Sequence, residues 1–182
     1  MFRRGRRHRL EPYLKRLYGY AFSLTYDADA AEDLVHDTAV KALSARKVPG
    51  EEAAYRAWLF TILRNATIDR SRKTSTRDID FSDVRTETDD RFAYGSETQE
   101  VNALTVRIAF GRLPLNHREI LAAIDIAGLS YLEASSVFDV PVGTIMSRIS
   151  RARSALYKQV EDTTADGKVR FLPVRRQGSS GG

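Results

Sequence analysis

The chain has 182 residues and a formal net charge of +5, with a sequence pI of about 9.6, which favours an anionic partner. It contains no cysteine, which excludes disulfides, thiolate metal sites and cysteine nucleophiles. No segment approaches the roughly eighteen consecutive apolar residues of a membrane span, and the basic start is not followed by the apolar run of a signal peptide. We therefore expect a soluble, cytoplasmic protein without membrane insertion, built as one domain or two small ones.

Residues 10–73 have the apolar periodicity of a helical unit. The polar break at residues 26–29 precedes a second helix over 30–44, for which Asp29 followed by Glu32 predicts the cap. The Pro49–Gly50 pair predicts a loop over 47–51, and a third helix is expected over 52–72. Trp58 has the spacing of a core residue on that helix, which we favour over a role in stacking on a base.

An acidic cluster lies on one side of the second predicted helix, formed by Glu32, Asp33, His36 and Asp37. These residue types can bind a metal at helical spacing. A surface that faces a partner explains them better, because exposed acids are common on helices. We therefore expect no metal site and no cofactor.

The composition changes at residues 74–100, where acids outnumber bases and apolar periodicity is weak, so we predict a flexible acidic linker. Helices resume over 101–160, beginning with one over 101–113 and another capped by Asn116 with Glu119. The tail over 161–182 is expected to be disordered. The predicted fold is all-α, with two small helical domains joined by the linker.

A helix-turn-helix is the strongest local pattern in the second half. Ser130 with Glu133 forms a capping-box sequence, and Pro141 ends the short helix and suits the start of the next. In the last helix an apolar stripe lies opposite hydroxyl and basic side chains, as in a recognition helix that enters the major groove of DNA. The candidate DNA contacts are Thr144, Ser147, Arg148, Ser150, Arg151 and Arg153. The alternative is a solvated basic face on an ordinary helix.

Taken together, the two halves resemble the extracytoplasmic-function (ECF) group of the bacterial sigma-70 family of RNA polymerase sigma factors. Residues 29–37 look like the segment of that family which binds the polymerase clamp, and residues 55–65 with Asp69 look like its helix that reads and melts the minus-ten element. Segments of the second half look like the reader of the minus-thirty-five element; they are Leu113–Pro114, Arg118–Leu121, Gly128–Tyr131 and Pro141–Thr144.

The resemblance implies a role for each segment. Core polymerase would be bound, through the clamp of its largest subunit, by Glu32, Asp33, Leu34, His36 and Asp37. The loop over 47–52 would capture a flipped minus-ten base, which requires compensation for lost stacking of a few kcal/mol. Minus-ten DNA would be contacted by Lys47, Arg56, Arg64, Asn65, Arg70, Arg72 and Lys73. The resemblance also implies an anti-sigma partner, promoter DNA as ligand and no catalytic activity.

Three positions depart from the family pattern. Met146 stands where relatives usually have Lys or Arg, which puts one minus-thirty-five contact in doubt. Ala134–Ser135 replaces the usual Ile-Ala, and Ala39 replaces a common Phe. These differences alter local packing without removing the pattern.

Other functional classes explain less of the chain. A stand-alone helix-turn-helix regulator accounts for residues 101–160 but leaves the acidic helix without a role, and a protein-sequestering module does not need the basic recognition helix. No phosphate loop, nucleophile elbow or plausible catalytic triad is present. Asp69 is left open between a DNA contact and a salt bridge to Arg72 or Lys73. The N-terminal arginines, from Arg3 to Arg9, are left open between disorder, DNA binding and an acidic protein partner.

Overall fold

A computed structural model describes residues 8–73 and 97–165, without the side chains of 71–73, 97–102 and 165. Within these ranges every regular element is helical, so the all-α prediction is confirmed. After a 3₁₀ turn at Glu11–Tyr13, the helices are α1 (Leu14–Thr25), α2 (Ala28–Ser44), α3 (Glu52–Lys73), α4 (Glu97–Gly111), α5 (Leu115–Leu121), α6 (Tyr131–Phe138) and α7 (Val142–Ala165). A π-helical segment, Ala122–Ile126, continues α5. None of these helices is long and apolar enough to cross a membrane.

The described residues form two compact units. The first contains residues 8–73 and 114–154, and the second contains 97–113 and 155–165. In the first unit α2 packs on α1 and α3, α3 also packs on α6, and α1 also packs on the π-helical segment. In the second unit the guanidinium of Arg112 donates to Thr163 Oγ1 at 3.2 Å. Residues 74–96 of the predicted linker and 166–182 of the predicted tail lie outside the described residues.

Helix α2 begins two residues earlier than the predicted cap would require. Tyr26 ends α1 in the left-handed conformation (φ 52°), and Asp27 follows in an extended conformation. Asp27 Oδ1 accepts a hydrogen bond from the Ala30 amide at 2.9 Å, so Asp27 is the N-cap and the prediction of Asp29 was wrong. Asp29 lies in the first turn, where a carboxylate faces the positive end of the helix dipole.

The core of the first unit is an apolar layer between α1, α2 and α3. Tyr20 of α1 meets Phe60 of α3 edge to face at 5.7 Å, and both side chains are fully buried. Leu17, Leu59 and Leu63 complete this layer. Trp58, predicted to be a core residue, is only half-buried, and its ring lies 5.7 Å from that of Tyr55.

The Tyr20 hydroxyl is buried without a hydrogen-bond partner. Burial also raises the pKa of this phenol far above its ordinary value, so the group stays neutral. Because an unsatisfied buried hydroxyl costs about 1–3 kcal/mol, we expect Tyr20→Phe to increase the free energy of unfolding by about 1 kcal/mol. Denaturant unfolding measures this change, with the exposed Tyr157→Phe as a matched control that should have no effect. A loss of stability in Tyr20→Phe would mean that the hydroxyl has a partner in solution.

Helix α5 also begins at a different residue from the predicted cap. The carbonyl of Pro114 accepts the amides of His117 and Arg118, so Pro114 is the N-cap and the predicted cap at Asn116 was wrong. The π-helical segment then ends in a tight turn at Gly128, whose φ of +70° suits glycine. This segment lies close to α1, where a Cβ on Gly19 would come within 3.2 Å of Ile126.

The helix-turn-helix forms as the sequence predicts. Ser130 and Glu133 make a complete capping box at the start of α6, which ends at Phe138 before the left-handed Asp139. The carbonyl of Pro141 accepts the amides of Thr144 and Ile145, so Pro141 lies just before the first turn of α7. The predicted apolar stripe of α7 is buried at Ile145, Ile149 and Ala152. The helix continues to Ala165, past the predicted end of order near residue 161.

Candidate nucleic-acid interface

The acidic cluster of α2 is exposed to solvent. Glu32, Asp33, His36 and Asp37 all lie on the surface, whereas Leu34 is buried and supports the helix from inside the unit. Asp33 forms an exposed ion pair with Arg70 of α3 at 3.6 Å. In the parts of the chain that the structure describes, no three His, Asp or Glu side chains converge as metal ligands.

Arg56 of α3 is already engaged within the first unit. Its Nε and Nη2 donate to the two carboxylate oxygens of Glu133, each at 2.6 Å. Glu133 is nearly buried, with 5% of its side chain exposed, and it also accepts bonds from the Ser130 amide and hydroxyl. Burial raises the pKa of Glu133, but the bonds from Ser130 and Arg56 outweigh burial and hold that pKa below its usual value. The carboxylate therefore stays charged and joins α3 to the helix-turn-helix.

Arg64, two turns further along α3, makes a second such pair. Its Nε lies 2.9 Å from Glu119 Oε1 of α5, and its guanidinium lies over the Phe138 ring at 4.9 Å. Burial raises the pKa of Glu119 above its usual value, partly opposed by Arg64. Two predicted minus-ten contacts thus have carboxylate partners from the second half of the chain.

The other predicted minus-ten residues lie around α3 and the loop before it. Lys47, Asn65 and Arg70 are exposed, and Asp69 is exposed beside Arg70. The side chains of Arg72 and Lys73 lie outside the described residues. The exposed part of this surface therefore lies at the loop and at the C-terminal half of α3.

Arg9 is a residue of this region whose function the sequence left open. Its guanidinium donates to the carbonyls of Pro49 and Gly50 and to Glu52, and it lies over the Tyr55 ring at 4.1 Å. Arg9 and Tyr13 are one helical turn apart, and in the structure both contact Glu52. Nothing in composition separated Arg9 from the other arginines of the basic start.

Helix α7 presents the predicted minus-thirty-five residues on its solvent side. Ser147, Arg148, Ser150 and Arg151 are exposed, whereas Thr144 is half-buried. Arg151 folds back to donate to the Ser147 carbonyl at 3.2 Å and hydroxyl at 3.3 Å. Met146, the departure from the family pattern, is 53% exposed.

Arg153 forms an ion pair with a carboxylate of the same unit. Its Nε and Nη2 donate to Asp125 at 3.2 and 2.5 Å, and these bonds raise its pKa above the usual value. The pair ties α7 to the π-helical segment. Arg153, a predicted DNA contact, therefore already has an exposed ion-pair partner within the chain.

Comparison with known proteins identifies both halves. Residues 10–77 match the model of sigma-70 region 2, and residues 106–156 match that of sigma-70 region 4. The chain is 36% identical, over 77% of its length and 76% of the relative's, to the ECF RNA polymerase sigma factor EcfG of Rhodopseudomonas palustris.

Two solved structures have a similar fold. The sigma factor RpoE of Bartonella quintana, solved with the anti-sigma factor NepR, has a TM-score of 0.60 and 28% identity over 85% of this chain and 96% of that one. CnrH, solved with the cytosolic domain of CnrY, has a TM-score of 0.57 and 25% identity over 85% of this chain and 84% of that one. With both regions present in order, the chain belongs to the ECF group of the sigma-70 family of RNA polymerase sigma factors.

Proposed function

We propose that this sigma factor binds core RNA polymerase through the acidic face of α2 and directs it to promoters. The observation that carries the proposal is the exposure of four charged or ionisable side chains on one face of α2, a helix within the match to region 2; they are Glu32, Asp33, His36 and Asp37. Such a surface complements a basic partner and speeds its association. The partner surface we assign is the clamp of the largest polymerase subunit, and Leu34 contributes by packing beneath the face.

Promoter DNA is bound by two separate surfaces in this proposal. Helix α7 enters the major groove at the minus-thirty-five element, where exposed Arg148 and Arg151 supply base and phosphate contacts. Helix α3 and the loop before it bind the minus-ten strand, with arginines on phosphates and Asn65 on a base edge. In this proposal the chain acts as an initiation factor in the cytoplasm, without a cofactor or a catalytic group.

The ion pairs of α3 place a condition on minus-ten binding. Arg56 reaches DNA only after it leaves its bidentate bond to Glu133, and Arg64 only after it leaves its single contact with Glu119. An anti-sigma factor is a natural partner for such a chain, and two related sigma factors were solved with the partners NepR and CnrY. We propose a partner of this class here.

Binding of labelled chain to core polymerase tests the assignment of the acidic face. We expect wild-type chain to bind and the double variant Asp33→Ala/Asp37→Ala to bind about tenfold more weakly, about 1.4 kcal/mol. The double variant Asp139→Asn/Asp162→Asn removes the same charge from other exposed positions and should bind as wild type does. Equal binding by all three proteins would assign the polymerase contact to another surface.

Arg151 is the recognition-helix residue whose replacement we expect to be most informative. Among the residues that the structure describes, its contacts are to its own helix, so within them it can turn to DNA without breaking an ion pair. We expect Arg151→Ala to weaken promoter binding by about 1–3 kcal/mol if it contacts a base, with relaxed selectivity at one base pair. The measurement is holoenzyme binding to promoter variants, with Lys158→Ala as a charge-matched control on the same helix. Unchanged affinity would remove Arg151 from the set of DNA contacts.

A further inference from the structure

The loop between α2 and α3 is held by a side chain that lies some forty residues earlier in the sequence. Arg9 Nη1 donates to the Pro49 carbonyl at 2.8 Å, and Nη2 donates to the Gly50 carbonyl at 2.6 Å. The third donor, Nε, binds Glu52 Oε2 at 3.1 Å. One guanidinium thus donates hydrogen bonds to two consecutive carbonyls of the loop and to the side chain of the first residue of α3.

Two aromatic residues fix Arg9 in this position. The face of its guanidinium lies 4.1 Å from the centre of the Tyr55 ring, and Tyr55 is buried. Tyr13, whose ring meets that of Tyr55 edge to face, donates its hydroxyl to Glu52. The Tyr13 bond is the main cause that lowers the pKa of Glu52, so the carboxylate stays charged opposite Arg9. The contacts of Arg9 with the loop therefore have a defined geometry that a lysine cannot reproduce.

We propose that Arg9 is the positioning residue of the loop that captures a flipped minus-ten base. Extruding a base costs a few kcal/mol of stacking, so capture is selective only if the receiving loop already has its bound shape. By holding the carbonyls of Pro49 and Gly50, Arg9 sets the path of the backbone that follows Lys47. This proposal rests on the proposed function of the loop.

The contacts favour this indirect role over a direct bond from Arg9 to DNA. All three guanidinium nitrogens donate within the protein, and less than a third of the side chain is exposed. A direct phosphate contact would add affinity for every sequence alike. A positioning role instead changes the affinity difference between strands with and without the captured base. This difference distinguishes a positioning role from a direct phosphate contact.

The first experiment measures the loop itself, without DNA or polymerase. Trypsin cleavage after Lys47 is followed by mass spectrometry in wild type, Arg9→Ala, Arg9→Lys and the charge-matched control Lys15→Ala. We expect Arg9→Ala to be cleaved about tenfold faster at this bond, as for the loss of a charge-assisted hydrogen bond. Arg9→Lys should be intermediate, and Lys15→Ala should match wild type. Equal cleavage in all four proteins would show that Arg9 does not hold the loop in place.

The second experiment measures base discrimination. Each variant, assembled with core polymerase, is titrated with single-stranded minus-ten oligonucleotides that carry an abasic site at one position at a time. In wild type we expect one position at which the abasic site weakens binding. The ratio of the Kd for that abasic strand to the Kd for the intact strand should fall by about tenfold in Arg9→Ala. Arg9→Lys should recover part of the ratio, and Lys15→Ala all of it.

The outcomes separate the two proposals. Faster cleavage with unchanged discrimination, or an even loss of affinity at every position, would overturn the positioning role of Arg9 and leave the proposed function intact. A wild-type holoenzyme that shows no position of discrimination would overturn base capture by the loop, and the positioning role with it. Polymerase binding equal to that of wild type shows that Arg9→Ala remains folded.

Discussion

Glu133→Ala is expected to lower the free energy of unfolding by about 3–4 kcal/mol, a large share of the stability of a small domain. The carboxylate accepts bonds from the Ser130 amide, the Ser130 hydroxyl and the Arg56 fork. Loss of the Glu133 half of the capping box, which accepts the Ser130 amide, costs about 1 kcal/mol, while the Ser130 side chain still caps the helix. The remainder, about 2–3 kcal/mol, comes from Arg56, which keeps its charge in a partly buried position without a counter-ion. Because a quarter of its side chain is exposed, this cost is smaller than the about 3–5 kcal/mol typical of a fully buried pair.

Glu133→Gln is the matched variant, since glutamine also completes a capping box. It keeps the cap and removes the charge, so we expect a smaller loss of about 1–2 kcal/mol. Denaturant unfolding followed by helical circular dichroism measures both variants. A loss below 1 kcal/mol in Glu133→Ala would mean that the pair with Arg56 does not form in solution.

The pH dependence of stability follows from the same carboxylate. Because the folded-state pKa of Glu133 is lowered, its stabilising effect is present above the unfolded-state pKa of about 4.3 and is lost as the pH falls through the folded-state pKa. Glu133→Gln should therefore lose stability less steeply in acid than wild type does. Glu119 acts in the opposite direction: its raised pKa favours the protonated folded state, so its contribution improves as the pH falls through that raised value.

The double variant Glu119→Gln/Glu133→Gln is expected to bind single-stranded minus-ten DNA about tenfold more tightly than wild-type free chain. The reason is that apparent affinity falls with the fraction of molecules able to bind, and the two ion pairs hold Arg56 and Arg64 in the unavailable form. Tenfold corresponds to about 1.4 kcal/mol for the two pairs together. The measurement is fluorescence anisotropy at moderate salt.

A charge-matched control is needed, because removing two negative charges strengthens DNA binding by any protein. Asp139→Asn/Asp162→Asn removes the same charge from two exposed positions that have no part in these ion pairs, and asparagine suits the left-handed conformation of Asp139. We expect this control to gain much less affinity than the glutamine variant. Equal gains in the two double variants would show that the ion pairs do not compete with DNA.

Local patterns predicted the elements that depend on neighbouring residues. The capping box at Ser130 and the apolar stripe of α7 were predicted because each depends on residues within one or two turns. The two caps that were predicted wrongly, Asp29 and Asn116, also matched a local pattern. At both sites the backbone before the helix decided the outcome: the left-handed Tyr26 made Asp27 the cap, and Pro114 supplied the first acceptor.

The candidate site was harder to predict, since its contacts join distant parts of the chain. Arg56 and Glu133 are 77 residues apart, and Arg9 and Gly50 are 41 residues apart. Periodicity assigns a residue to a face of its own helix, but it contains no information about which other segment packs there. The sequence therefore predicted a basic α3, and only the tertiary packing revealed that two of its arginines already have carboxylate partners.

Selection of DNA from a random duplex library, with and without core polymerase, tests the central claim most directly. We predict that the chain with core polymerase enriches sequences that contain two short elements at a fixed spacing, one for α7 and one for α3 with its preceding loop. The chain alone should enrich no such pair. A single operator enriched equally with and without polymerase would contradict the account and identify a stand-alone regulator.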